Sequence, residues 1–345
     1  MKPAWRAVAV AAFALAATGA WAQNVKITPL GSHDGELCDR DRATIFEDPT
    51  GVRIFYDAGH SVSGGADPRL GNVHVVLLSH AHGDHLGDRR LKSPNGGSCD
   101  RPETDNAAPH STTAEIIAAK NAAISMVIDL AGFVAKKVEG VTGKRVAACM
   151  DKGGEIAVPL SAACIAGAHL GGTRIYRAPG AAKGVEVTIV HAAHANALPR
   201  SLLAKPEIAQ LEADNLSLQP GPPTGYVVTF TNGLRVYLSG DTGIHAEMRA
   251  VVNEYHKANL MVMNLGPNAV NAHAAAYAVN ELVKPAAVIA SHPNEAATAG
   301  GTLRPGSRTA LFASRVQGRP VHLALSGRTM EFDGNAKCVS GCDKQ

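Results

Sequence analysis

The run His80-Ala81-His82-Gly83-Asp84-His85 packs three imidazoles and a carboxylate into six residues. In an extended segment side chains two apart share a face, so His80 and His82 can grip one ion together. Gly83 permits a sharp turn, after which Asp84 and His85 stand beside them. This is more donor capacity than one metal needs, and it suits two adjacent divalent ions. The run directly follows apolar residues 73–78, which read as a strand buried on both faces. The carboxyl end of such a strand is where α/β folds place their chemistry. Two ions sharing a hydroxide give a nucleophile near neutral pH, so the chemistry expected is hydrolysis of an ester, lactone, amide or phosphodiester. Asp84 is the carboxylate placed to orient that hydroxide or relay a proton. No G-x-S-x-G elbow offers a competing serine nucleophile.

Four more residues end apolar stretches in the same way. Asp57 follows 52–56, His194 follows 185–190, Asp241 follows 234–238 and His292 follows 287–290. His191 lies three residues before His194 and competes with it, since strand direction alone does not choose between them. His60, His245 and His273 also fall near element ends and are candidates for the substrate side. Further strands are expected at 25–29, 45–47, 173–176, 226–231, 260–265, 321–325 and 329–332, with Asn232-Gly233 as a hairpin turn. A helix capped at Ser111, Thr112 or Thr113 should run to about residue 137, because Ile117, Ile124, Ile128, Ala131 and Val134 recur at helical spacing. A second helix, 272–284, should stop at Pro285. No repeat or linker divides the chain. Residues 23–345 therefore read as one α/β domain with an insertion at about 93–170.

Composition bounds the partners. Of 345 residues 46% are apolar and 18% charged, enough for a substantial core, while aromatics at 4% leave no stacking platform for single-stranded nucleic acid. The first 22 residues form a leader: Lys2 and Arg6, an apolar run, then Ala20-Trp21-Ala22 as a cleavage site. Cleavage after Ala22 implies a periplasmic or secreted protein. The apolar run is short for a membrane span, so no stable membrane insertion is expected. Removing Lys2 and Arg6 takes the formal charge from +3 to +1 (3 − 2 = 1), which argues against nucleic acid or an anionic membrane as partner. Six cysteines in an exported chain favour disulfides over metal binding, since no C-x-x-C pair is present. Proximity in sequence favours Cys149–Cys164 and Cys338–Cys342, leaving Cys38–Cys99. The partner expected is a small-molecule substrate; oligomeric state is left open.

HAHGDH, then a histidine, then SGDTG, then a histidine ending a strand resembles the metallo-β-lactamase superfamily, with spacing most similar to its UlaG-like branch. The likeness runs over most of 24–332, outside the insertion and the tail. It implies an α/β fold, a four-layer αββα sandwich with a helical insertion. It implies that His80, His82 and His194 hold one metal, that Asp84, His85 and His292 hold a second, and that Asp241 bridges them. Ala192-Ala193-His194 matches the family's Ala-x-His, which implies His194 rather than His191. Asp57 would accept a hydrogen bond from a ligand imidazole and fix its tautomer. Five imidazoles and two carboxylates suit zinc, with iron or manganese as alternatives. Asp241 stands where β-lactam-hydrolysing members usually carry Ser or Cys, which counts against β-lactam hydrolysis and leaves a β-lactamase as the alternative enzyme reading. His82 departs from the di-iron oxygen-reducing members, and Asp241 and His292 are too close in sequence to hold the cassette of the RNA-processing ones. A non-catalytic metal-binding protein of the same fold is the further alternative.

Overall fold

The computed structural model describes residues 24–342; the leader expected at 1–22 lies outside them. Two sheets face each other. The first has nine strands in the order Ala147–Ala148, Cys164–Ile165, Ala123–Ile124, Val75–Leu77, Arg53–Tyr56, Ala43–Glu47, Val25–Leu30, Met330–Phe332, Cys338–Ser340. The second has eight: Glu155–Ala157, Thr173–Arg177, Val185–His191, Thr224–Thr229, Arg235–Leu238, Leu260–Asn264, Ala287–Ser291, Val321–Leu323.

Strand alternation explains the layers. Val75 and Leu77 point between the sheets, where they share a core with Tyr226, Val228 and Val236. Val76 and Leu78 point the other way, against Ile117, Leu130 and Val134 of the helices on the outer face. A strand with both faces buried therefore reads as an unbroken apolar run. Phe46–Phe230 and Tyr56–Tyr226 pair across the sheets at 6.2 and 6.3 Å between ring centroids. On the far side of the second sheet, Met248, Val252, Val279 and Phe312 cover Tyr237 and Met261. The result is the four-layer αββα sandwich.

One expected helix is two. Thr112–Lys120 is capped by Ser111, whose hydroxyl accepts from the Ala114 amide, and it ends at Asn121 in the left-handed region (φ 51). Ala123–Ile124 then joins the first sheet beside Val75–Leu77, and a second helix, Ile128–Thr142, begins after it. Ile117 and Ile124 are both buried, but on a helix and a strand respectively. Sheet pairing overrode a spacing that looked helical. Residues 93–170 thus supply two helices and also the short strands that extend the first sheet. The helix Ala272–Tyr277 continues as wider π turns over Ala278–Val283 and ends at Lys284 (φ 53), the residue before Pro285. Disulfides join Cys38–Cys99, Cys149–Cys164 and Cys338–Cys342. No helix among the described residues is long and apolar enough to cross a membrane.

Candidate metal centre

The carboxyl ends of parallel strands from both sheets meet at one edge of the sandwich. Arg53–Tyr56 and Val75–Leu77 run parallel and release Asp57 and His80 side by side. Opposite them, Arg235–Leu238, Leu260–Asn264 and Ala287–Ser291 run parallel and release Asp241 and His292. The exits are tight: Asp57, Gly240 and His292 have φ of 44°, 58° and 51°. Left-handed backbone at two non-glycine residues is costly and persists where surrounding contacts enforce it. Gly240 has no alternative, because a Cβ there would come within 2.6 Å of the Thr224 carbonyl oxygen. Beneath the site the Tyr226 hydroxyl donates to the Leu78 carbonyl at 2.7 Å, and the Thr224 amide and hydroxyl each donate to the Ser79 carbonyl at 2.9 Å. These bonds fix the two sheets against each other where the ligand-bearing turns begin.

The seven candidate ligands converge. His80 Nε2 lies 3.0 Å from His82 Nδ1, and the His194 ring centroid is 5.0 Å from each of those rings. His85 Nε2 lies 3.0 Å from His292 Nε2, and Asp241 Oδ1 is 3.2 Å from both. Asp241 Oδ2 reaches toward His194 Nε2 at 3.7 Å, and Asp84 Oδ2 toward His292 Nε2 at 3.7 Å. Three sets of donor atoms, His80/His82/His194, His80/His85/Asp241 and Asp84/His85/His292, each fall within 4.8 Å of one another. His191 is elsewhere: it ends its strand against His245, ring centroids 5.1 Å apart. His273 is exposed and bonds Arg315, and His60 pairs with Asp88.

The donor set fits cations. Imidazole nitrogens 3.0 Å apart repel through their lone pairs unless a proton or a metal lies between them. Asp241 Oδ1 is buried and makes no well-directed hydrogen bond despite its two imidazole neighbours. Arg42, His85, Asp241 and His292 help line a small space of about 20 Å³, the size of one water or ion. Charge states agree. Burial holds His80 well below its ordinary range and lowers His82 and His194; burial, then Arg42, takes His292 down to about 4. These four rings keep their lone pairs at neutral pH. Burial alone would lower His85 too, but Asp241 and Asp57 together raise it to about 10, so without an ion this ring holds a second proton, at Nε2, that a bound metal would displace. Burial works to raise Asp241 as well, yet His292 and His85 hold it well below the usual carboxylate range.

Supporting residues surround the cluster. Asp57 is buried and accepts from the Ser79 amide at 2.8 Å, the Ser79 hydroxyl at 2.7 Å and His85 Nδ1 at 2.7 Å. His85 is thereby left with Nε2 toward the cluster. The sequence reading missed three others. Arg42, its side chain 2% exposed, donates to Asp84 Oδ2 at 2.5 Å and to Asn294 Oδ1 at 3.1 Å. Burial works to raise Asp84, but Arg42 first, then His85 and His292, hold it well below the carboxylate range. Asn196 accepts from the Ala81 amide at 2.6 Å and donates to the Gly221 carbonyl at 2.8 Å, tying the histidine run to the loop ending near 223. Asp88 binds His60 Nε2 at 2.9 Å and the Ser201 hydroxyl at 3.2 Å. A single Arg, Asn or Asp has no spacing pattern that would mark it. An open groove of about 570 Å³ leads to Asp84 past Asp39, Arg40, His60, Asn268 and Asn294.

Comparison with known proteins follows the same lines. A family model described as a beta-lactamase superfamily domain matches residues 52–311. A UPF0173 metal-dependent hydrolase of Polynucleobacter asymbioticus is 32% identical over 150 residues, 43% of this chain and 48% of the relative. Another, from Cupriavidus taiwanensis, is 27% identical over 243 residues, 68% of this chain and 63% of the relative. The chain thus spans about half to under two thirds of these relatives' own lengths. Among solved structures, the metallo hydrolase Igni18 of the archaeon Ignicoccus hospitalis superposes with a TM-score of 0.54 at 20% identity, covering 90% of this chain and 99% of that one, and so shares the fold. With two facing sheets, a histidine run at a strand end and a family match from 52 to 311, the chain belongs to the beta-lactamase superfamily and has the metallo-β-lactamase fold.

Proposed function

We propose that this protein is an exported, metal-dependent hydrolase of a small molecule. The observation that carries the reading is the convergence of five imidazoles and two carboxylates in three overlapping donor sets. His80, His82 and His194 would hold one divalent ion, Asp84, His85 and His292 a second, with Asp241 shared; zinc suits this donor set best. What bound ions would supply is Lewis acidity, polarising a carbonyl or phosphoryl oxygen and making water a nucleophile near neutral pH. The protein's own residues do the rest. Asp57 fixes the tautomer of His85. Arg42 keeps Asp84 ionised and fixed in place, so that this carboxylate can orient the attacking water or take its proton. The groove beside Asp84 has room for a substrate of modest size and is lined by polar side chains of both charges.

Export fits three disulfides and the leader pattern at 1–22, with residues 23–345 as the working domain and 93–170 as its insertion. The test is metal analysis of purified protein, followed by a panel of lactones, aryl esters, phosphodiesters and β-lactams with zinc and with manganese. About two equivalents of metal and a hydrolysis that EDTA abolishes are expected. Less than about one equivalent, or activity that survives EDTA and the His80→Ala substitution, would overturn the reading.

A further inference from the structure

His60 is buried at 6% exposure, lies outside the metal cluster, and has no part in the chemistry described so far. It stands two residues past Ala58 in the turn after Arg53–Tyr56, where the Gly59 amide donates to the His85 carbonyl at 2.9 Å. That bond anchors the His60 backbone to the ligand run. Its Nε2 faces Asp88 Oδ1 at 2.9 Å, and the other oxygen of Asp88 accepts from the Ser201 hydroxyl at 3.2 Å. Asp88 can approach because residue 83 is glycine: a Cβ there would sit 2.5 Å from Asp88 Oδ1. The carboxylate–imidazole pair is therefore wedged against the residue preceding Asp84. Among the described residues Nδ1 of His60 has no hydrogen-bond partner, and it is not sealed off from solvent. The ring lines two spaces at once, the 570 Å³ groove that reaches Asp84 and a neighbouring chamber of about 160 Å³. Asp100, Arg101 and Thr104 form the chamber's far wall, on a segment tied to residue 38 by the Cys38–Cys99 disulfide.

We propose that His60, oriented by Asp88, is the proton-transfer residue for the leaving group, which departs toward this chamber. The inference rests on the hydrolase reading. Asp88 accepts the Nε2 proton of neutral His60, which leaves the Nδ1 lone pair facing the substrate spaces. As water adds to the scissile carbon or phosphorus, Asp84 takes the proton that the water sheds, and solvent in the groove that both side chains line carries it to His60 Nδ1. The bond to the leaving oxygen or nitrogen then breaks, its electron pair stays on that atom, and the same Nδ1 returns the proton to it. Water is consumed, an acid and a neutral alcohol or amine are released, and His60 ends as it began. The device matters for leaving groups that are strong bases. The substrate class is accordingly one whose leaving group is an alkoxide or amide ion, small enough for a polar chamber of this size, rather than an activated phenolate or thiolate.

The experiment compares the metal-loaded wild type with His60→Gln and Asp88→Asn on a series of esters sharing one acyl group and differing in leaving-group pKa, with metal content measured for each. His60→Gln should lower kcat/KM by about 10²–10⁴ for alkyl leaving groups and by less than about tenfold for p-nitrophenolate, steepening the dependence on leaving-group pKa. A uniform loss across the series would overturn the proposal, since a merely structural role predicts that. In parallel, long-range 1H–15N spectra should show neutral His60 protonated at Nε2 in the wild type and a mixed tautomer in Asp88→Asn. Nδ1 protonation in the wild type would also overturn it. If the wild type hydrolyses nothing while its metal is bound, the hydrolase reading itself fails and the relay with it, an outcome distinct from a leaving-group-independent loss.

Discussion

Asp57→Asn isolates the contribution of one carboxylate to the metal centre. The residue sits at φ 44, a conformation asparagine adopts at least as readily as aspartate, so the backbone is not strained by the change. Volume is conserved, and the amide oxygen can keep the 2.8 Å bond from the Ser79 backbone. What changes is the atom 2.7 Å from both the Ser79 hydroxyl and His85 Nδ1. It becomes an NH2 donor. Serine can turn its hydroxyl to accept, but His85 can accept at Nδ1 only by moving its proton to Nε2. That proton would be held at Nε2, the position beside Asp241 and His292 that a metal must take. The alternative, two donors facing each other in a buried site, is also unfavourable. Loss of such a partner costs about 10–100-fold in metal affinity, or about 1.4–2.7 kcal/mol. Only the ion held by Asp84, His85 and His292 should weaken; the one at His80, His82 and His194 should change little. Competition of apoprotein against a chromogenic chelator, fitted to two sites, reads both constants. Two unchanged affinities, or equal losses at both sites, would refute the reasoning.

Three further outcomes follow from the same structure. Arg42→Met removes the cation that faces Asp84; allowing for the 29% exposure of that carboxylate, metal-free protein should lose about 2–3 kcal/mol in urea unfolding, and zinc should recover part of it. An unchanged midpoint without metal would contradict this. Asp41 is fully buried, and burial pushes its carboxyl up to about 6 against the bonds it accepts from the Ser32 and Cys38 amides. Its folded value lies above the unfolded 3.8, so the folded state holds the proton longer. Stability from this group is full below about pH 4 and is lost as pH rises through about 6, a change of about 3 kcal/mol. The stability difference between wild type and Asp41→Asn should therefore move against the wild type across that window; a flat difference, or one of opposite sign, would rule it out. Joint replacement of Cys38 and Cys99 by serine opens a loop with a sequence separation of 61 and should cost up to about 4 kcal/mol in unfolding free energy. No loss would mean that the bond does not form in the purified protein.

What the sequence revealed and what it hid divide along one physical line. His80, His82, Asp84 and His85 stand together because the chain is short between them, and a run of donors after an apolar strand is a local pattern. Asp57, Asp241 and His292 were legible one step further out, since each ends an apolar stretch and parallel strands deliver such ends to one edge, whereas His194 follows the antiparallel strand Val185–His191 and was singled out by its match to Ala-x-His. The helix over 111–137 was misread because Ile117 and Ile124 are both buried at helical spacing, though only pairing with Val75–Leu77 determines that Ile124 lies on a strand. Arg42 shows the stronger limit. Its guanidinium meets Asp84 across 42 residues of sequence and Asn294 across 252, so nothing near position 42 announces a role. The same holds for Asp88, whose meaning depends on the absence of a side chain at Gly83 and on a histidine 28 residues upstream. Groups that bind one another through short chain segments leave a trace in spacing. Groups that act by charge or orientation across the fold do not, because any exposed arginine or aspartate looks the same until the sheets bring its partner to it. The residues that set the centre's protonation and substrate preference belong to that second kind, which is why the fold and the metal donors can be read from this chain more readily than the substrate it takes.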